Sequence, residues 1–283
     1  MAQDRPRTNA TAWGPVALIP LLVLSGILAV QYNLAPIQAN IIYRQADPYD
    51  REGAWDVALA HYERASELAP HADVYYLELG RAYSQKASST GDPAQQERLL
   101  QPAEQSLIQA QDINPLKHEH SVNLAGLYRQ RYDLASDPAQ KEQWGQQAST
   151  NYETATTLAP HDAALWNTEG DFYSQLDQLE KVAEAYERVV ELAPRSTEVW
   201  RILSSTYAQL GRLEEGIAAM QEALELEPEA ENAWNSHLIL AVLYSQLGWP
   251  DEALSHAQTA WQLAPEEEKP ALQDVITQLQ QGQ

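Results

Sequence analysis

The residue types that could carry chemistry are few, and their spacing is poor for it. The chain has no cysteine, which excludes disulfides, thiolate metal ligands and a cysteine nucleophile. His118 and His120 flank Glu119, but side chains two positions apart on a helix do not share a face, so the pair is a poor metal site. No serine-hydrolase elbow, phosphate-binding glycine loop or zinc-protease motif occurs. We therefore predict no enzymatic activity, no metal site and no cofactor.

Charge and composition narrow the class of protein further. The 283 residues carry 40 Asp and Glu against 18 Lys and Arg, a net charge of −22. A surface this acidic repels phosphate backbones, so nucleic acid is not an expected partner. Hydrophobic residues make up 44% of the chain, which is enough to bury a core, and only 12 are glycine. The abundance of Ala, Leu, Gln and Glu favours helices.

An apolar segment lies near the N-terminus. No charged residue occurs between Arg7 and Arg44, and Trp13 and Tyr32 bracket 20 mostly apolar residues. A helix of that length spans roughly 30 Å, the thickness of a bilayer core. We predict a transmembrane anchor at 13–35 after a short cytoplasmic tail at 1–12, with the rest of the chain outside the cytoplasm. The alternative is a cleaved signal peptide, for which the small-residue cleavage pattern is imperfect.

The remainder of the chain repeats itself. Six similar blocks each end at a proline, and a tyrosine recurs in each block with a small residue three positions before it in most of them. The prolines are Pro70, Pro115, Pro160, Pro194, Pro228 and Pro265. The tyrosines are Tyr49, Tyr83, Tyr128, Tyr173, Tyr207 and Tyr244. Small residues let two antiparallel helices approach closely, while proline ends the second helix and turns the chain.

This pattern resembles the tetratricopeptide repeat (TPR) family. The prolines that close the clearest stretches, 166–194 and 200–228, each follow the preceding block's proline by 34 residues. The resemblance implies an all-α fold, a right-handed helical solenoid of TPR type. We expect six repeats over 39–265 and a C-terminal capping helix at 268–283. The repeats are 39–72, 73–117, 118–162, 163–196, 197–230 and 231–267. Pro48 is expected to kink or extend the first helix, and His118–His120 to lie in an exposed turn.

The second and third blocks each contain an insertion of 11 residues. Both insertions carry the tetrapeptide Asp-Pro-Ala-Gln, at 92–95 and 137–140. Asp followed by Pro is typical of a helix N-cap with proline in the first turn. We therefore predict longer second helices in these blocks, preceded by loops at Ala87–Gly91 and Ala135–Ser136.

The resemblance also implies where a partner binds. In this family, Asn, Arg and Lys side chains in the groove formed by the first helices hold extended peptides or terminal carboxylates. The matching types here are Arg81, Arg129, Asn167 and Arg201. Arginine forms bidentate pairs with carboxylates, which suits a peptide ligand. The alternative is that these side chains are ordinary ion-pair partners between helices.

Three functions follow from these features. The first is a membrane-anchored scaffold that binds a protein or peptide through its concave groove in an envelope assembly. The second is an accessory subunit, or a split relative, of a glycan polymerase or O-antigen ligase, since those multi-span enzymes are similar in layout where repeats follow the last span. That reading makes a multi-span membrane protein the partner, with the bilayer contacted through 13–35. The third is a structural spacer.

Overall fold

The computed structural model describes residues 14–228, 230 and 232–281. This part of the chain is entirely helical apart from its turns, which confirms the all-α class; the right-handed course of a solenoid stays a prediction. The helices, in chain order, are α1 (Gly14–Ala29), a π-helical segment (Val30–Leu34), α2 (Ala35–Arg51), α3 (Trp55–Leu68), α4 (Asp73–Ser89), α5 (Pro93–Ile113), α6 (His118–Leu134), α7 (Pro138–Leu158), α8 (Ala163–Gln175), α9 (Leu179–Leu192), α10 (Thr197–Gln209), α11 (Leu213–Leu226), α12 (Ala233–Gln246), α13 (Pro250–Leu263) and α14 (Lys269–Gln281).

The chain divides into two compact units between Leu134 and Ala135. In the first unit, α2 pairs with α3 and α4 with α5, while α6 packs on α5. In the second unit, α8 pairs with α9, α10 with α11 and α12 with α13, while α7 packs on α8 and α14 on α13. The division falls inside the predicted third repeat, 118–162, which contributes α6 to one unit and α7 to the other.

Small residues at the helix crossings allow close approach, as the sequence predicts. A Cβ added to Gly80 would lie 2.6 Å from Leu107 Cγ. One added to Gly170 would lie 3.1 Å from the ring of Tyr186. The other residues at this position of the repeat are also buried: Ala46, Ala125, Ser204 and Ala241. Two helices can therefore pack at short distance only where the intervening side chain is minimal.

Two kinds of turn join the paired helices. Gly53, Gly211 and Gly248 adopt φ values of 72°, 75° and 77°, and Asp177 adopts 56°. After each of them, the next backbone N–H donates to the carbonyl of the recurrent tyrosine, for example Arg212 to Tyr207 at 2.8 Å. This left-handed C-cap favours glycine because a Cβ is strained there.

The two connections that carry the insertions, α4 to α5 and α6 to α7, use the predicted aspartate caps instead. Asp92 accepts a hydrogen bond from the N–H of Ala94 at 3.0 Å, and Asp137 accepts one from Gln140 at 3.2 Å. Proline follows each aspartate at the first helical position. The prediction of N-caps at the insertions is therefore confirmed.

The insertions lengthen the helices on both sides of these two connections. α4 and α6 have 17 residues where α8 and α10 have 13, and α5 and α7 have 21 where α9 and α11 have 14. The added residues divide into four in the first helix and seven in the second, about one and about two helical turns, so the added length keeps the apolar faces in phase. The expected loop at Ala87–Gly91 is wrong in its first half, because α4 continues to Ser89.

Two local expectations are wrong. The chain does not become extended at Pro48: helix α2 continues through it to Arg51, since a proline near the end of a helix removes only one backbone hydrogen bond. His120 does not lie in an exposed turn. Its side chain is fully buried in the first turn of α6, where Nε2 lies 2.9 Å from the Asp73 carboxylate of α4.

The predicted anchor at 13–35 corresponds to α1 and the π-helical segment, while the tail at 1–12 and Trp13 lie outside the described residues. Helix α1 has 16 residues, a length of about 24 Å at 1.5 Å per residue. No helix in the described part of the chain combines the length and apolar character needed to cross a membrane, which leaves the transmembrane helix unsupported.

Candidate interaction surface and pocket

Two of the four predicted groove residues are arginines already paired with carboxylates of their own unit. Arg81 on α4 donates to Glu78 one turn earlier at 2.7 Å, and its side chain is 42% exposed. Arg201 on α10 is only 17% exposed and lies 3.6 Å from Glu198 and 3.5 Å from Glu227. These ion pairs hold both guanidinium groups in place, and each pair would have to open or be shared when a partner carboxylate binds.

The other two predicted residues are Asn167, which carries no charge, and Arg129, which is half-buried. Asn167 on α8 donates its amide to Asp171 at 3.2 Å, on the same face of the helix. Arg129 lies on α6 in the first unit and is half-buried. Each unit therefore contains two of the four predicted residues, Arg81 and Arg129 in the first and Asn167 and Arg201 in the second.

The predicted face of α8 and α10 is open to solvent. Ala164 and Asp171 are exposed on either side of Asn167, and Glu198 and Ser205 are exposed on either side of Arg201. Residues spaced by three or four positions share one side of a helix, so each helix presents a stripe of small and polar groups. Such a stripe is suited to contact with another polypeptide.

The recurrent tyrosines have a role that the sequence pattern did not reveal. Each of four tyrosine hydroxyls donates a hydrogen bond to a glutamate on the second helix of the preceding repeat. The pairs are Tyr83–Glu63 (2.7 Å), Tyr128–Glu104 (2.8 Å), Tyr173–Glu153 (2.9 Å) and Tyr207–Glu187 (2.7 Å). At Tyr244 the order reverses, and Gln221 donates to the hydroxyl at 3.0 Å. The tyrosines thus fix the contact between neighbouring repeats as well as filling space.

A pocket of about 220 Å³ opens between α7, α8 and α9 in the second unit. Each of the three helices contributes acidic or aromatic side chains to it. The lining residues are Glu153, Thr156 and Thr157 of α7, Trp166, Glu169 and Tyr173 of α8, and Lys181, Glu184 and Ala185 of α9. The pocket combines two aromatic rings with three carboxylates and one ammonium group.

The carboxylates of this pocket differ in their environment. Burial alone would raise the pKa of Glu153, but hydrogen bonds from Lys181 and Tyr173 bring it below its usual value. Burial raises the pKa of Glu169, and the neighbouring Tyr173 and Thr156 hydroxyls do not offset it. Burial, reinforced by both carboxylates, raises the pKa of Tyr173, so its hydroxyl stays a donor. Glu169 is thus the acidic group with the least compensation.

Trp166 forms a fixed aromatic wall. Its indole N–H donates to the carbonyl of Pro160 at 3.0 Å, and the guanidinium carbon of Arg188 lies 5.9 Å from its ring centre. Trp200 makes the equivalent bond to Pro194 at 2.9 Å, so the orientation belongs to the repeat. A tethered indole ring keeps the wall of the pocket in place without a ligand.

The sequence contained one signal for this pocket. Glu169 lies four residues before Tyr173, and the same position before four other recurrent tyrosines is a buried leucine. These leucines are Leu79, Leu124, Leu203 and Leu240. An acidic residue in a position that four other repeats fill with leucine is a departure from the repeat, and it lies at this pocket, away from the four predicted groove residues.

Comparison with known proteins agrees with the repeat assignment. Residues 163–196 and 197–229 each match the tetratricopeptide repeat family model, so these two segments are TPR repeats. They comprise α8 to α11, which include two of the three helices around the pocket and two of the predicted groove residues. A search of curated protein sequences finds no significant match.

Solved structures of similar fold include TPR proteins. One described as the crystal structure of MamA protein shares 19% identity at a TM-score of 0.52, covering 68% of this chain and 92% of that one. Another, described as YrrB, a TPR protein with an unusual peptide-binding site, shares 16% identity at a TM-score of 0.52, covering 72% and 93%. At such identities the likeness establishes the helical-repeat fold alone.

Proposed function

We propose that this protein is a non-catalytic scaffold that binds another protein through the groove face of the first helices of its repeats. The observation that supports this most is the exposed stripe on α8 and α10, within the two segments that match the TPR family. Arg201 and Asn167 lie in that stripe among small and acidic residues. The side-chain amide of Asn167 can hydrogen-bond to the backbone of an extended peptide, and the guanidinium group of Arg201 can pair with a carboxylate. The fold of the YrrB structure, described as peptide-binding, agrees with such a role.

The proposal is tested by photo-crosslinking from a single position. Ser205 is exposed one turn after Arg201, and a photoreactive phenylalanine analogue placed there should give one discrete protein adduct in cells. The matched control is Glu222, exposed on α11, where no adduct is expected. Arg201→Gln together with Asn167→Ala should abolish the Ser205 adduct while circular dichroism stays unchanged. Equal adducts from Ser205 and Glu222 would contradict the proposal.

We further propose that the apolar N-terminal segment attaches the repeats to a membrane, with the repeats outside the cytoplasm. Apolar side chains from Leu18 to Leu34 are exposed, for example Leu22 at 68%, which is costly in water and favourable in lipid. Protease added to spheroplasts should digest the part after residue 45. Full protection would contradict the orientation, and release of the chain by alkaline carbonate would contradict the attachment.

A second candidate function is an accessory subunit of a glycan polymerase or O-antigen ligase. The observation that favours it is that α1, the π-helical segment and α2 follow one another without a break, so the apolar segment leads directly into the first repeat helix. Copurification of the chain from detergent with a multi-span glycosyltransferase would support this function. Crosslinks only to water-soluble proteins would favour the general scaffold.

A further inference from the structure

Glu169 is a buried acid whose hydrogen bonding is incomplete. Its side chain is 2% exposed, and Oε2 has no hydrogen-bond partner. Oε1 lies 3.0 Å from the Tyr173 hydroxyl, but that same hydroxyl lies 2.9 Å from Glu153 Oε1. A phenol has one proton and can serve only one carboxylate well. A buried acid with an unused oxygen is costly to keep, and in four other repeats leucine fills the position.

The walls around Glu169 already hold one cation at their edge. The ammonium of Lys181 lies 2.8 Å from Glu153 and 4.8 Å from the centre of the Tyr173 ring. This arrangement combines an ion pair with a cation–π contact, the two interactions that recognise alkylammonium and guanidinium groups. Lys181 satisfies Glu153 and leaves Glu169 and Glu184 as the remaining carboxylates of the pocket.

We propose that the pocket between α7, α8 and α9 receives the cationic end of a lysine or arginine side chain from a partner protein, with Glu169 as its ion-pair partner. This inference rests on the proposed scaffold function and names the chemistry of one contact. Trp166 and Tyr173 flank the aliphatic part of the incoming side chain, and Glu184 lies at the exposed edge. The charge of −22 favours approach of a basic partner.

Other classes of ligand fit the pocket less well. An anion would meet three carboxylates and only one ammonium group, which is already paired with Glu153. An apolar side chain would leave the unpartnered oxygen of Glu169 buried beside it, which carries a desolvation cost. A cation supplies both the missing donor and the missing charge.

The test uses the full chain in detergent and three tripeptide probes. Ac-Gly-Lys-Gly-NH2 and its arginine counterpart should shift the Trp166 indole N–H resonance in NMR spectra, assigned through W166F, and should do so saturably. The norleucine counterpart has the same alkyl chain without charge and should cause no saturable shift. Lack of saturation with both cationic probes, or equal binding of norleucine, would overturn the proposal.

Variants separate this pocket from general acidity. E169Q keeps the shape and should weaken lysine binding about tenfold or more, as expected when a buried charge-assisted hydrogen bond is lost. The control E222Q removes an equal charge from an exposed position on α11 and should leave the affinity unchanged. E169L restores the leucine of the other repeats and should abolish binding while raising Tm. A parallel loss in E222Q, or unchanged binding in E169L, would rule out Glu169 as the partner.

Failure of the pocket and failure of the scaffold function are distinguishable. The peptide titration does not require the natural partner, and crosslinking at Ser205 does not require the pocket. An adduct at Ser205 together with no lysine binding would support the scaffold function and contradict the proposed lysine-binding pocket. Lysine binding without any adduct would support the pocket and contradict the stripe on α8 and α10 as the interaction surface.

Discussion

At the scale of single residues, tyrosine does more than the repeat pattern requires. A phenol ring of this size buries apolar surface, and its hydroxyl reaches a glutamate on the neighbouring repeat. Burial and the adjacent carboxylate raise the pKa of the tyrosine. For Tyr83 beside Glu63 that pKa rises to about 12, so the hydroxyl donates throughout the physiological range.

Tyr207→Phe should lower stability because it removes one of these hydroxyls without removing the ring. Glu187 would lose its hydrogen bond, although the nearby Arg212 guanidinium, 3.9 Å away, would still neutralise it. We expect a loss of about 1–2 kcal/mol, the range for a hydrogen bond to a charged group. Urea unfolding of the two proteins measures this. Tyr76→Phe is the control, since its hydroxyl makes no hydrogen bond within the described residues, and an equal loss there would refute the assignment.

The pair His237 and His256 should make stability depend on pH. Their Nδ1 atoms lie 2.9 Å apart, so one nitrogen donates and the other accepts, and a second proton between them is excluded. Burial lowers the pKa of both rings, and for His256 the neighbouring imidazole adds to this. The folded state then takes up protons less readily than the unfolded state, whose histidines titrate near about 6.5. The neutral histidine pair therefore favours the folded state fully above about pH 6.5, and this contribution to stability is lost as the pH falls below that value.

The measurement for this pair is the difference in Tm between pH 7.5 and pH 5.5. His256→Phe keeps a ring stacked on Tyr244 and removes the ionisation, so the difference should shrink. His161→Phe changes an exposed histidine in a turn and should leave the difference as it is. If both variants show the same difference in Tm as the parent protein, the histidine pair does not cause the loss of stability at acid pH.

At the scale of helices, a glycine permits the close crossing of α4 and α5. Leu107 is buried and cannot move away from a Cβ placed at Gly80, and the Ala103 carbonyl lies 3.1 Å from the same point. At Gly126, on α6, nothing lies within 4 Å of the added atom. Both glycines are inside helices, so their backbone preference is the same and only the neighbours differ.

Gly80→Ala should therefore destabilise the fold and Gly126→Ala should stabilise it. We expect a loss of about 1–3 kcal/mol at Gly80 from overpacking, against a gain of about 0.5–1 kcal/mol at Gly126 from the helix preference of alanine. Chemical denaturation of the two variants compares them directly. A gain at both positions would show that α4 and α5 can separate without cost.

At the scale of the whole molecule, the main electrostatic feature is the excess of negative charge. Forty acidic residues against 18 basic ones leave most carboxylates without a cation, because the cations are too few. Like charges repel over about 30 Å at 10 mM salt but over only about 8 Å at physiological ionic strength. Unfolding spreads these charges apart, so repulsion opposes the compact state.

Salt should therefore stabilise this protein. Raising NaCl from about 10 mM to about 300 mM should increase Tm by about 2–4 °C, corresponding to about 1 kcal/mol. An equal rise with KF at the same ionic strength would attribute the effect to screening instead of a bound ion. A fall in Tm would mean that ion pairs such as Arg131 with Glu104 outweigh the repulsion.

The repeat pattern by itself determined the helical class, the close-packing small residues and the aspartate caps. These features depend on local spacing, backbone geometry and side-chain volume, which can be inferred directly from the amino-acid sequence. The functional features depend on which side chains meet across repeats. Four groove residues were predicted from one helix at a time, and the structure shows that Arg81 and Arg201 already pair with neighbouring carboxylates.

Tertiary structure alone decided the rest. His120 meets Asp73 across 47 residues, and the pocket forms because α7, α8 and α9 bring Glu153, Glu169 and Trp166 to one space. Sequence could flag Glu169 as a departure from leucine, but not that one oxygen of its carboxylate lacks a hydrogen-bond partner. Whether a buried acid is satisfied depends on the distances to donors in other helices, and packing fixes those distances.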